Sequence, residues 1–177
     1  MRIISGNFKG KIITAPKQLP VRPTTDFAKT GIFNILANYV DFGNISVLDL
    51  FCGTGNVSYE FGSRGSSTII AVDDNAHCVK FVSDTFLKLN LVKAKVIRAD
   101  VFRFLEKCEA KFDIIFADPP YELATTDVIP DLVMKKKLLN ENGWLIIEHQ
   151  SKRNLQSIFQ PEEVRKYGNC AFSIFKM

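Results

Sequence analysis

This chain of 177 residues has few of the residues that build metal sites or disulfide frameworks. Its four cysteines, Cys52, Cys78, Cys108 and Cys170, include no CxxC pair, and its two histidines, His77 and His149, stand alone. That spacing argues against a zinc array, and the thiols read as reduced and mostly packed. No apolar run approaches the ~20 residues of a membrane helix. Met1–Asn7 hold neither an apolar signal core nor a small-residue cleavage site. Internal repeats and low-complexity tracts are also missing. These features point to one compact cytoplasmic domain without a metal, and a chain of this length and apolar content can act as a monomer.

The charge is unevenly placed. The chain carries a formal +4, yet residues 1–30 alone carry +5, from Arg2, Lys9, Lys11, Lys17, Arg22 and Lys29 against Asp26. The remainder is nearly neutral. A basic segment on a neutral domain suits a polyanionic partner, with Arg2, Lys9, Lys11 and Arg22 as the candidate contacts. A solvated hairpin without a partner is the competing reading.

Two sections are expected. In residues 1–25, the β-prone runs Arg2–Ser5 and Lys11–Thr14 flank Gly6–Gly10, which has hairpin turn chemistry, and an extended Pro-rich stretch follows from Pro16 to Pro23. In residues 26–177, Asp26 reads as a helix cap, with an apolar face through about Asn38. Strands are then expected at 45–50, 68–72, 94–98, 112–117 and 144–148, alternating with helices at 56–64, 75–89, 101–107 and about 126–136. Their apolar, continuous strands indicate a doubly wound, mostly parallel sheet with helices on both faces. The tail reads as a helix over 151–159, then a closing hairpin of 163–167 and 171–175.

The first parallel strand runs into Asp49-Leu50-Phe51-Cys52-Gly53-Thr54-Gly55. Gly53 and Gly55 let the backbone approach a ligand at the carboxyl end of the strand. A dinucleotide fingerprint wants a third small apolar residue where Ser58 stands, and Asp49 would repel a pyrophosphate. Asp49 would instead attract the ammonium of a methionine moiety. S-adenosyl-L-methionine therefore fits this loop, Phe51 included, better than NAD. Asp73 and Asp74 end the second strand, where a carboxylate can accept ribose hydroxyls. Asp100 follows the third, placed to accept an adenine amine with the Val101 amide beside it. Each Asp taken singly could be a helix cap.

The fourth strand ends in Asp118-Pro119-Pro120-Tyr121. An exocyclic base amine is a poor nucleophile because its lone pair is delocalised. The Asp118 carboxylate and the Pro119 carbonyl supply two acceptors that favour a pyramidal nitrogen. The proline pair, with Pro120, stiffens the loop, and Tyr121 offers a face for an extruded base. A carboxylate, which only accepts, matches the donor edge of guanine better than that of adenine. A tight turn after a strand is the plain structural alternative.

These motifs, together with Arg2-Ile3-Ile4-Ser5-Gly6, Arg22-Pro23-Thr24-Thr25-Asp26 and Phe33-Asn34, resemble the bacterial 16S rRNA guanine-N2 methyltransferases of the RsmD type, over nearly the whole chain. The resemblance implies a seven-stranded class I S-adenosylmethionine methyltransferase fold with a small N-terminal β-extension. It implies methylation of one guanine in 16S rRNA, within the small ribosomal subunit or an assembly intermediate. It places Arg22, Thr24 and Thr25 at the mouth of the site, near cofactor and RNA. The chain departs from the family pattern at Phe27, where Arg is usual, and at Thr30, where Glu is usual, while Lys29 keeps a basic residue. Two other functions fit the residues less well. One is N6-adenine methylation of RNA or DNA. The other is a catalytically silent RNA-binding ribosome-assembly factor, which cofactor binding would distinguish. An NAD-dependent oxidoreductase would require a third loop glycine and a catalytic Tyr-Lys or His pair, which are not seen.

Overall fold

The computed structural model describes residues 1–16, 19 and 26–177. Five strands, β1 (Ser46–Leu50), β2 (Thr68–Asp73), β3 (Ala94–Arg98), β4 (Phe112–Ala117) and β5 (Leu139–Gln150), pair in parallel in the order β3-β2-β1-β4-β5. The hairpin of β6 (Glu163–Tyr167) and β7 (Cys170–Lys176) closes the sheet, with β7 antiparallel to both β5 and β6. The full order is β3-β2-β1-β4-β5-β7-β6. This is the arrangement of the class I methyltransferase fold.

Alternation along the buried strands builds two cores. Val47, Ile114, Phe116 and Ile146 face α1 (Asp26–Leu36), α2 (Asn56–Ser63) and α3 (Ala76–Lys88). Leu48, Ile115, Leu145 and Ile147 face α4 (Val101–Lys107) and α5 (Val128–Lys135). The strand order reverses direction between β1 and β4, so the loops after these strands diverge and leave a crevice there.

The strands and helices expected over residues 26–148, and the closing hairpin, occur with shifted ends. β5 starts at Leu139, because a register irregularity with Asn142 at φ 60° lets the strand begin before Trp144. The helix expected from about 126 opens as a 3-10 turn, Ala124–Asp127, before α5. Asp26 is the first residue of α1, which ends at Leu36 and runs on in hydrogen-bonded turns to Val40.

The helix expected over 151–159 is not formed. Its amides are drawn to side chains instead: Gln156 N donates to Asp127 and Ile158 N to Asp131, while Arg153 pairs with Asp127 at 3.2 Å. Residues 2–14 form a single bridge, Arg2 to Ile12, rather than an extended hairpin. Amides of this segment that a longer ladder would use are taken by α2: Ile4 N and Ser5 N donate to Glu60, and Asn7 N and Phe8 N to Ser63. Most of the Pro-rich stretch 16–23 lies outside the described residues.

Candidate active site

A cavity of about 700 Å³ opens at the carboxyl ends of β1, β2, β4 and β5, within the range of cofactor sites. Its wall joins the glycine loop (Asp49, Phe51, Gly53) to the tetrad Asp118–Tyr121, with Asp73 and Asp74 on one flank.

The loop passes through the left-handed region, which glycine adopts freely and which Phe51 adopts at a cost. Phe51, Gly53 and Gly55 have φ of 57°, 52° and 77°. A Cβ on Gly55 would lie 2.7 Å from the Tyr59 hydroxyl, so glycine is needed there both for its backbone and for its bareness. Gly55 caps α2 rather than lining the cavity. Asp49 sits on the α2 side of the sheet, where Ser58 donates to it from both its amide and its hydroxyl. Burial dominates and pushes the Asp49 carboxyl up to about 7, with the Ser58 bonds partly opposing. Asp73 accepts Gly53 N at 2.8 Å and Asn75 N at 2.9 Å, which ties the loop to β2. Its carboxyl is also raised, chiefly by burial.

Asp100 and Val101 are placed differently. The exposed Asp100 carboxylate caps α4 by accepting Arg103 N at 2.9 Å, and Val101 is buried in the second core. Neither belongs to the wall of the main cavity.

At the other end, the Asp118 amide donates to the Leu50 carbonyl at 3.3 Å, so the tetrad is registered directly against β1. Tyr121 lines the cavity and donates to Glu148 Oε1 at 3.4 Å. Burial raises its hydroxyl above the ordinary value. Glu148, Tyr167, Asn169 and Cys170 also line this wall, and none of them is among the site residues expected from the sequence. Glu148 had a visible signal: a carboxylate at the carboxyl end of the apolar run Leu145-Ile146-Ile147. Tyr167 had none, since its place depends on where the hairpin docks. Its ring packs over Gly31, where an added Cβ would lie 2.1 Å from Cε1. It meets Phe27 edge-on at 5.8 Å, and Phe27 is 72% exposed at the start of α1. Lys29 is fully buried and donates to the Arg2 carbonyl and to Asn56 Oδ1, both at 2.7 Å. It is therefore an internal anchor and not a surface contact.

Arg2, Lys9 and Lys11 are exposed. The chain from Arg2 to Phe8 runs along α2, meeting Asn56 through Lys29, then Glu60, then Ser63. Arg2 is thus at the cavity end of α2 and Lys9 at the far end. Arg22, Thr24 and Thr25 lie outside the described residues.

The cavity wall contains Asp49, Asp73, Asp74, Asp118, Glu122 and Glu148 and, among the described residues, no Lys or Arg. Such a wall disfavours phosphate groups and favours cationic or donor-rich guests. With Asp49 and the backbone of Gly53 on it, this acidic wall suits the ammonium end of S-adenosyl-L-methionine. Among the described residues no group of three or more His, Cys, Asp or Glu side chains is placed to hold a metal ion, and no helix is long and apolar enough to cross a membrane.

Comparison with known proteins agrees with this geometry. Residues 1–176 match the family described as conserved hypothetical protein 95. YlbH of Bacillus subtilis (strain 168), provisionally named an rRNA methyltransferase, is 36% identical, covering 99% of this chain and 98% of its own. Ribosomal RNA small subunit methyltransferase D of Buchnera aphidicola subsp. Acyrthosiphon pisum (strain APS) is 32% identical over 93% of this chain and 84% of its own. Among solved structures, yhhF of Escherichia coli, provisionally named a methyltransferase, superposes with a TM-score of 0.86 at 22% identity, covering 99% of this chain and 97% of that one. An RNA methyltransferase from Salinibacter ruber in complex with S-adenosyl-L-homocysteine gives 0.66 at 11% identity, covering 88% and 93%. These two likenesses concern the fold. With its length, motifs and relatives in agreement, the chain belongs to the conserved hypothetical protein 95 family, that of ribosomal RNA small subunit methyltransferase D.

Proposed function

We propose that this protein is an S-adenosyl-L-methionine-dependent rRNA methyltransferase that modifies the N2 amine of one guanine in small-subunit rRNA. It would act as a cytoplasmic monomer on the small subunit or an assembly intermediate. The observation that carries the reading is the acidic cavity that the glycine loop and Asp118–Tyr121 line together.

When bound, S-adenosyl-L-methionine supplies a methyl already made electrophilic by its sulfonium. The residues of this chain would therefore position, desolvate and polarise. Asp49 would face the ammonium, Phe51, Gly53 and Gly55 would shape the methionine end, and Asp73 with Asp74 would hold the ribose. Asp100 and Val101, at the start of α4, would meet the adenine. Asp118 and the Pro119 carbonyl would accept from the target amine, with Pro120 fixing the loop and Tyr121 stacking on the base. The proton lost from the product amine passes to Asp118 or to water. Arg2, Lys9, Lys11, Arg22, Thr24 and Thr25 would serve the RNA.

The test is transfer of labelled methyl from S-adenosyl-L-methionine to unmethylated small ribosomal subunits, followed by identification of the modified nucleoside. N2-methylguanosine that disappears in Asp118→Ala, with cofactor binding retained, is the expected result. N6-methyladenosine would move the target to adenine. Absence of both transfer and cofactor binding would leave an RNA-binding assembly factor.

A further inference from the structure

We infer that Glu148 is a specificity residue of the target-base site, accepting the N1–H of guanine while Asp118 and the Pro119 carbonyl accept the N2 amine. This rests on the function proposed above and deepens it.

The sheet brings the two carboxylates together. Ala117 of β4 pairs with Ile147 of β5, so the residues that follow, Asp118 and Glu148, emerge beside each other. Alternation places Phe116 and Ile146 in the core under α1 and α2, and by the same period Asp118 and Glu148 follow them toward that face. Both line the cavity, as do Tyr121 and Cys170. Glu148 is only 3% exposed, and the Tyr121 hydroxyl donates to it at 3.4 Å. Burying a carboxylate at the end of an apolar strand is costly. A site that must recognise a donor-rich guest gives that cost a purpose.

The chemistry of the guest matches. The Watson–Crick edge of guanine offers one N1–H and the two hydrogens of N2. Glu148, Asp118 and the Pro119 carbonyl offer acceptors for all three. Adenine would instead turn the lone pair of N1 toward a carboxylate, leaving two acceptors opposed and unpaired in a dry site. Asp118 alone does not make this distinction firmly, because adenine's amine also donates. The second carboxylate does.

The test uses small subunits reconstituted with rRNA that carries 2,6-diaminopurine in place of the target guanine. That base keeps the N2 amine and lacks N1–H. The wild-type protein is expected to methylate guanine roughly 10- to 100-fold better than diaminopurine, by kcat/KM. Glu148→Gln, whose amide can donate to an unprotonated N1, is expected to bring that ratio to about one or below, with S-adenosyl-L-homocysteine binding and the unfolding midpoint preserved. Glu148→Asp, a second variant that keeps the acceptor, should retain the preference at a lower rate. An unchanged ratio in Glu148→Gln, or no preference in the wild type, would overturn the inference and leave the proposed function standing. The same ratio shift in Tyr121→Phe would overturn it too, by showing that Glu148 acts only through Tyr121. Wild-type protein that makes no N2-methylguanosine on guanine-containing subunits would instead overturn the parent reading, and this one with it.

Discussion

Lys29 Nζ lies 3.8 Å from Glu60 Oε2, and both side chains are wholly shielded from solvent. Glu60 also accepts from Ile4 N, Ser5 N and Arg64 Nε. One buried carboxylate therefore holds together the N-terminal segment, α1 and the helix that follows the glycine loop. Burial lowers the Lys29 pKa, against the pull of Glu60 and Asp26. Glu60→Ala removes the carboxylate facing a buried ammonium and leaves the Ile4 and Ser5 amides without their acceptor, so it should cost about 3–5 kcal/mol in urea unfolding. Lys29→Met removes the charge and leaves Glu60 its other partners, so its cost should be smaller. Equal costs would mean that the pair is not the organising contact.

Asp49 should make stability and cofactor affinity respond oppositely to pH. Its folded-state pKa of about 7 lies above the ordinary 3.8, so the ligand-free folded protein keeps a proton that the unfolded chain releases. The stability this provides is present below about pH 4, falls as pH rises through about 7, and then levels off. A cationic ligand beside Asp49 needs the ionised form, so S-adenosyl-L-methionine should bind more tightly as pH rises through about 7, with proton release on binding. Calorimetry in buffers of different ionisation enthalpy reads both effects. Asp49→Asn should bind weakly, without that pH dependence.

The basic residues of the N-terminal segment should not be equivalent. α2 has eight residues, so its ends are about 12 Å apart, with Arg2 near the cavity end and Lys9 near the other. Neutralising Arg2 should weaken RNA binding and reduce the slope of log affinity against log salt by roughly one phosphate contact. Neutralising Lys9 should do less. Equal slopes would extend the RNA footprint along the whole helix.

Gly31 should prove a steric requirement of the site. Alanine there would overlap the Tyr167 ring, so Gly31→Ala should destabilise by about 1–3 kcal/mol despite its better helix propensity. Methyl transfer to the ribosomal subunit should fall while cofactor binding persists. Combining it with Tyr167→Ala should recover the stability but not the activity. Additive costs in that double variant would show that the two residues do not meet.

The legible parts of this molecule were those encoded locally. Leu48–Leu50, Ile114–Ala117 and Leu145–Ile147 read as buried parallel strands because both faces of each are covered. The glycine loop and the tetrad were visible because their chemistry lies in consecutive residues. Residues 151–159 were misread because Asp127 and Asp131, more than twenty positions away, capture their amides. Glu148 and Tyr167 escaped notice for a similar reason. One depends on the register of β5 against β4, the other on a hairpin docking over a bare position of α1. Lys29 counts toward the basic excess of residues 1–30, and its burial is not visible locally because its partners, Glu60 and Asn56, come from a different helix.

The antiparallel insertion of β7 between β5 and β6 has a consequence for how such an enzyme can change. The turn between β6 and β7 supplies Gly168 and Asn169 to the cavity wall, yet it belongs to the outer edge of the sheet, away from β1 and β2. That turn can lengthen, shorten or alter its sequence without disturbing the strands that carry the glycine loop. Under the proposed function, changes in that turn should alter how the target is held while leaving S-adenosyl-L-methionine binding intact, so the two properties should respond separately to substitution there.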